Sequence, residues 1–328
     1  MPSLGSIFKK YTGPLRQLKL VYVLNNLLNR KKLQHNRALY DKYGVQKNIF
    51  SPIGSHNLPE EPAHLSPWLD RPGAKANLQQ HPSYAAFSPS IQQELDRFVD
   101  DGYMILNNFF DAATIDSHNQ EIERLRKQQE VDFNYTGRKI MNAFQQSELI
   151  DQQFFRYPPL LKLLSFALGK TVIPFQTINF VEGSEQRAHS DSIHMTTYPK
   201  GYLIAIWVAL EDCDANNGPL FYYPKSHRLP YILGPQFPSG NSYFTVGAHS
   251  NKRYEDQIEQ VIQAAGLQPK IFKAQKGDVL VWHANLLHGG SPIHREGATR
   301  KSMVAHYYAE DVICYHEISQ RPALLDLP

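Results

Sequence analysis

Residues 277–292, GDVLVWHANLLHGGSP, decide how the rest of the chain is read. Gly277-Asp278 signals a turn, and residues 278–283 hold the short apolar run Val279-Leu280-Val281-Trp282. Gly289-Gly290-Ser291-Pro292 signals a second reversal, so the stretch reads as a strand between turns. The same texture extends outward: residues 171–181, 187–193, 203–210, 220–223 and 301–308 are further predicted strands, separated by Gly183 and Asn216-Asn217-Gly218-Pro219. Helical signals come earlier. Ser88-Pro89 opens a helix with Ile91, Leu95, Phe98 and Val99 in step, ended by Gly102 before the strand-like Tyr103-Met104-Ile105-Leu106. Asp111 caps a second helix carrying Ile115, Ile122 and Leu125, and residues 158–168 read as a third, stopped by Gly169. Many short strands with helices kept upstream predict a mainly β chain with flanking helices, built as a jelly-roll, cupin-like barrel or double-stranded β-helix.

The stretch also carries a histidine, His288, just before the paired glycines. The chain has a single His-x-Asp, His189-Ser190-Asp191, and His288 follows Asp191 by 97 residues. Residues two apart in a strand share a face, so His189 and Asp191 are expected to converge on one ion. Two imidazoles and a carboxylate with open positions form the facial set used by oxygen-activating iron(II); zinc could take the same ligands, although a structural zinc usually saturates with four. Twelve residues beyond His288 stands Arg300, followed by Ser302. If this segment is a strand, Arg300, Ser302, Val304, His306 and Tyr308 share a face. A buried guanidinium needs an anion, and a dicarboxylate held on iron at one end presents its other carboxylate there.

His189-Ser190-Asp191, the turn Asn217-Gly218-Pro219-Leu220 leading to Pro224-Lys225-Ser226-His227, and Gly277-Asp278 through His288-Gly289-Gly290-Ser291 to Arg300 together resemble the phytanoyl-CoA dioxygenase family, over about residues 88 to 310. The resemblance implies an oxygenase dependent on iron(II), 2-oxoglutarate and molecular oxygen. It implies His189, Asp191 and His288 as metal ligands and catalytic centre, Arg300 and Ser302 on the distal carboxylate, and Trp207, Gln176 and Lys139 lining the co-substrate pocket. With Asp191 present, hydroxylation is expected rather than halogenation. The family handles acyl thioesters, amino acids and secondary metabolites, so a small-molecule or lipid-like substrate is expected. Relatives usually carry Gly where Lys225 stands, so the turn there is expected to differ. Two rivals follow from the same fold: a non-catalytic jelly-roll binding protein, and a cupin-like metal-dependent hydrolase or isomerase with no use for Arg300.

The apolar share of 42% with 12% aromatics predicts a packed globular body, and two cysteines, Cys213 and Cys314, exclude a disulfide framework or a cysteine zinc site. A reducing, cytoplasmic setting fits, and no long uncharged apolar run marks a leader or membrane span. Residues 1 to 50 hold ten Lys or Arg against Asp41 alone, a local charge of +9 within a chain of net +3. Leu15, Leu18, Leu20, Val21, Val23, Leu24, Leu27 and Leu28 lie there among Arg16, Lys19, Arg30, Lys31 and Lys32. Residues 15–34 thus read as a basic amphipathic helix, expected to pack on its own domain or a second subunit, with contact to an anionic membrane surface as the other reading. Nucleic acid is not an expected partner, because the body is acidic and no RNA- or DNA-binding motif follows. Six prolines between residues 51 and 87 suggest an extended wrapping segment. Residues 1–87 are therefore read as a helical and Pro-rich extension and 88–328 as the oxygenase domain. His294-Arg295-Glu296, with His306 after it, is read as a decoy in a turn-rich loop. His194, His227 and His283 are read as structural or hydrogen-bonding histidines.

Overall fold

The computed structural model describes residues 17–134 and 137–326. Its α-helices of seven or more residues are α1 (Lys19–Leu28), α2 (Asn36–Tyr43), α3 (Ala74–Gln80), α4 (Pro89–Asp101), α5 (Ala112–Lys127), α6 (Pro158–Leu168) and α7 (Ser250–Ala264). The strands are β1 (Tyr103–Leu106), β2 (Lys139–Met141), β3 (Val172–Phe180), β4 (Thr196–Tyr198), β5 (Leu203–Ala209), β6 (Leu220–Tyr222), β7 (Lys270–Phe272), β8 (Val279–His283), β9 (His288–Gly290), β10 (Ser302–Ala309), β11 (Ile313–His316) and β12 (Arg321–Pro322). The capped helices form where their signals stand. Ser88 Oγ accepts from the Ile91 amide at 3.4 Å, Asp111 Oδ1 accepts from Thr114 at 2.7 Å, and Gly102 and Gly169 close α4 and α6 in the left-handed region.

Every strand pairing is antiparallel. One sheet runs β1-β8-β5-β10-β3-β2, a second β12-β11-β4 and a third β7-β6-β9. Side-chain alternation gives the large sheet two different faces. One carries Ile206, Val208, Val281, Met303 and Ala305 into a core shared with α4, α5 and α6. The other presents Phe180, Trp207, Leu280, Trp282 and Val304 toward Leu220, Tyr222 and Phe272 of the third sheet, with Trp207 and Phe272 edge to face at 5.7 Å. The space between these two sheets holds the candidate site.

Three expectations need correction. The chain is a mixed helix and antiparallel-sheet protein, with more of the described residues in helix than in strand. Residues 187–193 are not a strand: His189 makes an isolated bridge and Asp191 starts a short 3-10 turn, because its carbonyl accepts from His194 at 2.9 Å and Met195 at 2.8 Å. Residues 51–87 are not extended throughout, since short 3-10 turns and α3 interrupt them. Leu69, Ala74 and Leu78 there enter the main core, while Leu33, Leu39, Tyr40 and Ile53 pack on Tyr198, Ile313 and Tyr315. A fourth expectation also fails: the turn at Lys225 does not differ, because Lys225 itself adopts the left-handed conformation that Gly favours, with φ +69°, at a cost of about 1 kcal/mol. Both cysteines are free and buried, and among the described residues no helix is long and apolar enough to cross a membrane.

Several buried or half-buried histidines are held neutral away from the candidate site. Burial holds His118 in α5 down to about 3 and His35 to about 4; burial and then His283 hold His227 to about 3. Unfolded, each returns to about 6.5. The unfolded chain therefore takes up protons first on acidification, so this stability is complete above about pH 6.5 and is lost as pH falls toward 4 and 3. Thermal melts are expected to show a Tm that declines below about pH 6.5, with a shallower decline in His118→Gln. A Tm independent of pH down to about 4 would contradict the assignment.

Candidate metal centre

His189 and His288 face each other across a two-way backbone pair: His189 N–H donates to His288 O at 3.0 Å and His288 N–H to His189 O at 2.9 Å. Asp191 leaves the same segment through its 3-10 turn and meets both. Its Oδ1 lies 4.0 Å from His189 Nε2 and 3.7 Å from His288 Nε2, and one ligand atom from each of the three residues falls within 4.8 Å of the others. All three are buried.

The hydrogen bonds fix which nitrogen is bare. Nδ1 of His189 contacts the Arg187 carbonyl at 2.9 Å, and Nδ1 of His288 contacts the Leu286 carbonyl at 3.0 Å. A carbonyl only accepts, so each Nδ1 carries the proton and each Nε2 turns a lone pair toward Asp191. The Gln186 amide, 3.3 Å from His189 Nε2, is consistent with that tautomer. Burial first, then the neighbouring His288, drives His189 well below its usual range, keeping it neutral. Burial pushes the Asp191 carboxyl up, but its neighbours, His288 first and then His306, override it and hold the group well below the usual carboxylate range. An anionic carboxylate and two bare nitrogens, converging in a buried space, fit a divalent metal in an open facial set.

Two of Asp191's partners escape the sequence reading. Trp282 Nε1 donates to Asp191 Oδ2 at 2.8 Å, and His306 Nε2 lies 3.5 Å from the same oxygen. Both sit on the inward face of the large sheet, opposite Ala205 in the two ladders that flank β5. Period-two spacing from Arg300 was the signal for His306, which had been grouped with the loop decoy; His294 and Glu296 are themselves exposed.

The same face carries the remaining candidates. Ser302 pairs with Ala209 and Phe180, Trp207 with Val304, Gln176 with His306, and Lys139 with Phe180. Arg300 precedes β10 yet continues its pairing, donating its amide to Val181 O at 2.8 Å. Arg300 is 2% exposed, and its guanidinium lies 5.5 Å from the Trp207 ring and 5.7 Å from Phe180. Burial lowers its pKa to about 10, which leaves it charged at neutral pH. Arg300 Nε, Ser302 Oγ and Trp207 Nε1 are all buried without a hydrogen-bond partner. Three orphaned donors, one cationic, cost several kcal/mol unless an acceptor such as a carboxylate joins them. Burial lowers the Lys139 pKa while Asp191 pulls it the other way, and its Nζ lies 5.8 Å from the Phe180 ring.

Gly289, next to His288, has no room for a side chain: an added Cβ would stand 2.6 Å from the Gln186 carbonyl, and backbone there cannot swing aside. The other histidines sit apart. His283 bonds Asp70 at 3.1 Å and meets His227 edge to face, lining a cavity of about 620 Å³ with Lys200 and Tyr231 that none of His189, Asp191 and His288 lines. His194 lies 6.0 Å from His189, ring to ring.

Known proteins share this fold. The fold matches the epimerase SnoN in complex with Fe3+, alpha ketoglutarate and nogalamycin RO, at TM-score 0.51 and 19% identity over 68% of this chain and 85% of that one. It also matches EctD from S. alaskensis with 2-oxoglutarate and 5-hydroxyectoine, at TM-score 0.52 and 19% identity over 68% and 76%. The class is that of the iron(II)/2-oxoglutarate-dependent oxygenases. Within it the chain belongs to the phytanoyl-CoA dioxygenase (PhyH) family, whose model matches residues 98–302. Human peroxisomal phytanoyl-CoA dioxygenase is 23% identical over 283 residues, covering 74% of this chain and 80% of that protein. The bovine protein of the same name is 22% identical over 243 residues, 67% and 68%.

Proposed function

We propose that this chain is a non-haem iron(II)- and 2-oxoglutarate-dependent dioxygenase that hydroxylates an unactivated carbon of a small-molecule or lipid-like substrate. The observation that carries the reading is the convergence of two bare Nε2 atoms and one carboxylate beside three buried donors that lack an acceptor. The large sheet facing the β7-β6-β9 sheet across a shared interior supports a double-stranded β-helix barrel, with residues before about 88 as an extension to it. The acyl-CoA in the relatives' name supports a lipid-like substrate.

In this reading His189, Asp191 and His288 hold the metal. Bound iron(II), with 2-oxoglutarate and oxygen as co-substrates, supplies the oxidation that places a hydroxyl on the substrate carbon. The chain's own contribution is positioning and exclusion of water. Trp282 and His306 fix the Asp191 carboxylate, so that Oδ1 stays turned to the histidines. Arg300 and Ser302 take the distal carboxylate of the co-substrate, Trp207 closes the pocket wall and offers its N–H, and Lys139 and Gln176 approach from β2 and β3. A dead binding protein has no need of an intact ligand set, and a metal hydrolase none of a buried unpaired arginine.

The test is succinate formation from 2-oxoglutarate in the presence of iron(II) and oxygen, followed by mass spectrometry. Slow uncoupled turnover without substrate is expected, with none when zinc replaces iron. Absence of succinate from iron-loaded protein across candidate acyl thioesters, amino acids and secondary metabolites would favour the non-catalytic reading.

A further inference from the structure

The first helix is built inside out. Lys19 is 4% exposed, and its Nζ donates to Ser242 O and to Gln320 Oε1, both at 2.6 Å; Asn26 is equally buried, its Nδ2 donating to Phe50 O at 3.0 Å. Water instead meets Leu20, Leu24, Leu27 and Leu28, with Leu20 66% and Leu28 85% exposed. Their spacing puts the four on one stripe of α1. A surface helix ordinarily buries its leucines and leaves its lysine out, so this arrangement presents an apolar face.

The face does not end with the helix. Lys19 N–H donates to Phe244 O at 2.9 Å and Val246 N–H to Gln17 O at 2.8 Å, which ties the 242–246 loop to the start of α1. Tyr243 and Phe244, the two most exposed aromatics on that loop, therefore extend the leucine surface, and Leu18 fills in beside them. The rim is cationic. Arg30, Lys31 and Arg37 are exposed just past the stripe, and residues 17–40 contain no acidic side chain.

We infer that this face docks on an anionic lipid bilayer, with the leucine stripe and the Tyr243–Phe244 pair entering the boundary between headgroups and acyl chains and Arg30, Lys31 and Arg37 meeting lipid phosphates. α1 is ten residues long and lies on the surface rather than crossing it. Charge selects this occupant. A second copy would bring two strongly basic segments together, which their like charge opposes, whereas a negative surface complements them. The loop that carries the aromatic pair runs on into α7, whose Tyr254 hydroxyl accepts the Ser190 amide at 3.1 Å, so the docked face and the metal centre share one continuous segment. The inference does not depend on the reaction assigned to that centre.

The experiment is co-sedimentation of the full chain with vesicles of phosphatidylcholine alone or with about one third phosphatidylserine. Wild-type protein is expected to sediment with the anionic vesicles, and about tenfold less with neutral ones or in high salt. Leu24→Glu/Leu28→Glu and, separately, Tyr243→Ser/Phe244→Ser are each expected to weaken binding about tenfold at unchanged Tm, since these side chains face solvent. Arg30→Glu/Lys31→Glu removes the preference for anionic lipid. Wild-type protein that stays in the supernatant, or variants that sediment like wild type, would overturn the proposal. So would a dimer in light scattering that Leu24→Glu/Leu28→Glu splits, since that result gives the stripe to a second copy.

Discussion

An Asp191→Ala protein is expected to lose iron and to stop making succinate, and His189→Ala to do the same. Asp191 is the one carboxylate of the cluster, its Oδ1 within 4.0 Å of both histidine Nε2 atoms, and without it the metal keeps two neutral ligands. Iron affinity is expected to fall about 100-fold or more, since loss even of a ligand's supporting partner costs about 10- to 100-fold. The substitution also leaves Trp282 Nε1 without its acceptor, a cost of about 1–3 kcal/mol. The surrounding sheets are untouched, so circular dichroism should show the native fold. Iron titration and succinate measurement on the same preparation check the result. Turnover at the wild-type rate in folded Asp191→Ala would remove the triad from the mechanism.

Arg300→Ala is expected to raise the KM for 2-oxoglutarate by about 30- to 150-fold, the equivalent of about 2–3 kcal/mol for a charge-assisted contact to a carboxylate in a buried site. Iron retention should not change, because Arg300 belongs to the orphaned-donor group and not to the cluster around Asp191. That split separates a carboxylate anchor from a merely structural arginine. Arg300→Lys keeps the charge but not the planar fork and should recover only part of the affinity. Unaltered KM in Arg300→Ala, with wild-type iron content, would show that the distal carboxylate is held elsewhere.

Much of this was legible in the order of residues. The capped helices announced themselves through Ser88, Asp111 and Gly169, and β5, β8 and β10 through uninterrupted apolar or alternating runs. The inward direction of Arg300, Ser302 and His306 followed from period two. What failed was information that no local window holds. β9 is three residues with two glycines and has no pattern of its own; only pairing with β6 makes it a strand. His189 and Asp191 converge, but through a 3-10 turn and not through strand alternation. α7 carried a helical pair in Tyr254 and Ile258 that its polar neighbours obscured. The leucines of α1 were expected to pack on their own domain or a second subunit, with a membrane surface as the other reading; they do not pack on their own domain but face outward, because Lys19 and Asn26 find buried acceptors in other segments of the chain.

The reciprocal amide pair between His189 and His288 has a bearing on how the protein acquires its ion. Main-chain bonds already hold the two imidazoles at a ring separation of 4.5 Å, with neither side chain needed to sustain the ladder. Such a preformed site is expected to load with little rearrangement, and a chelator is expected to leave an intact polypeptide that takes the ion up again. Cobalt, manganese and zinc are expected to compete for the same ligands, since two imidazoles and a carboxylate do not select one divalent ion by affinity alone.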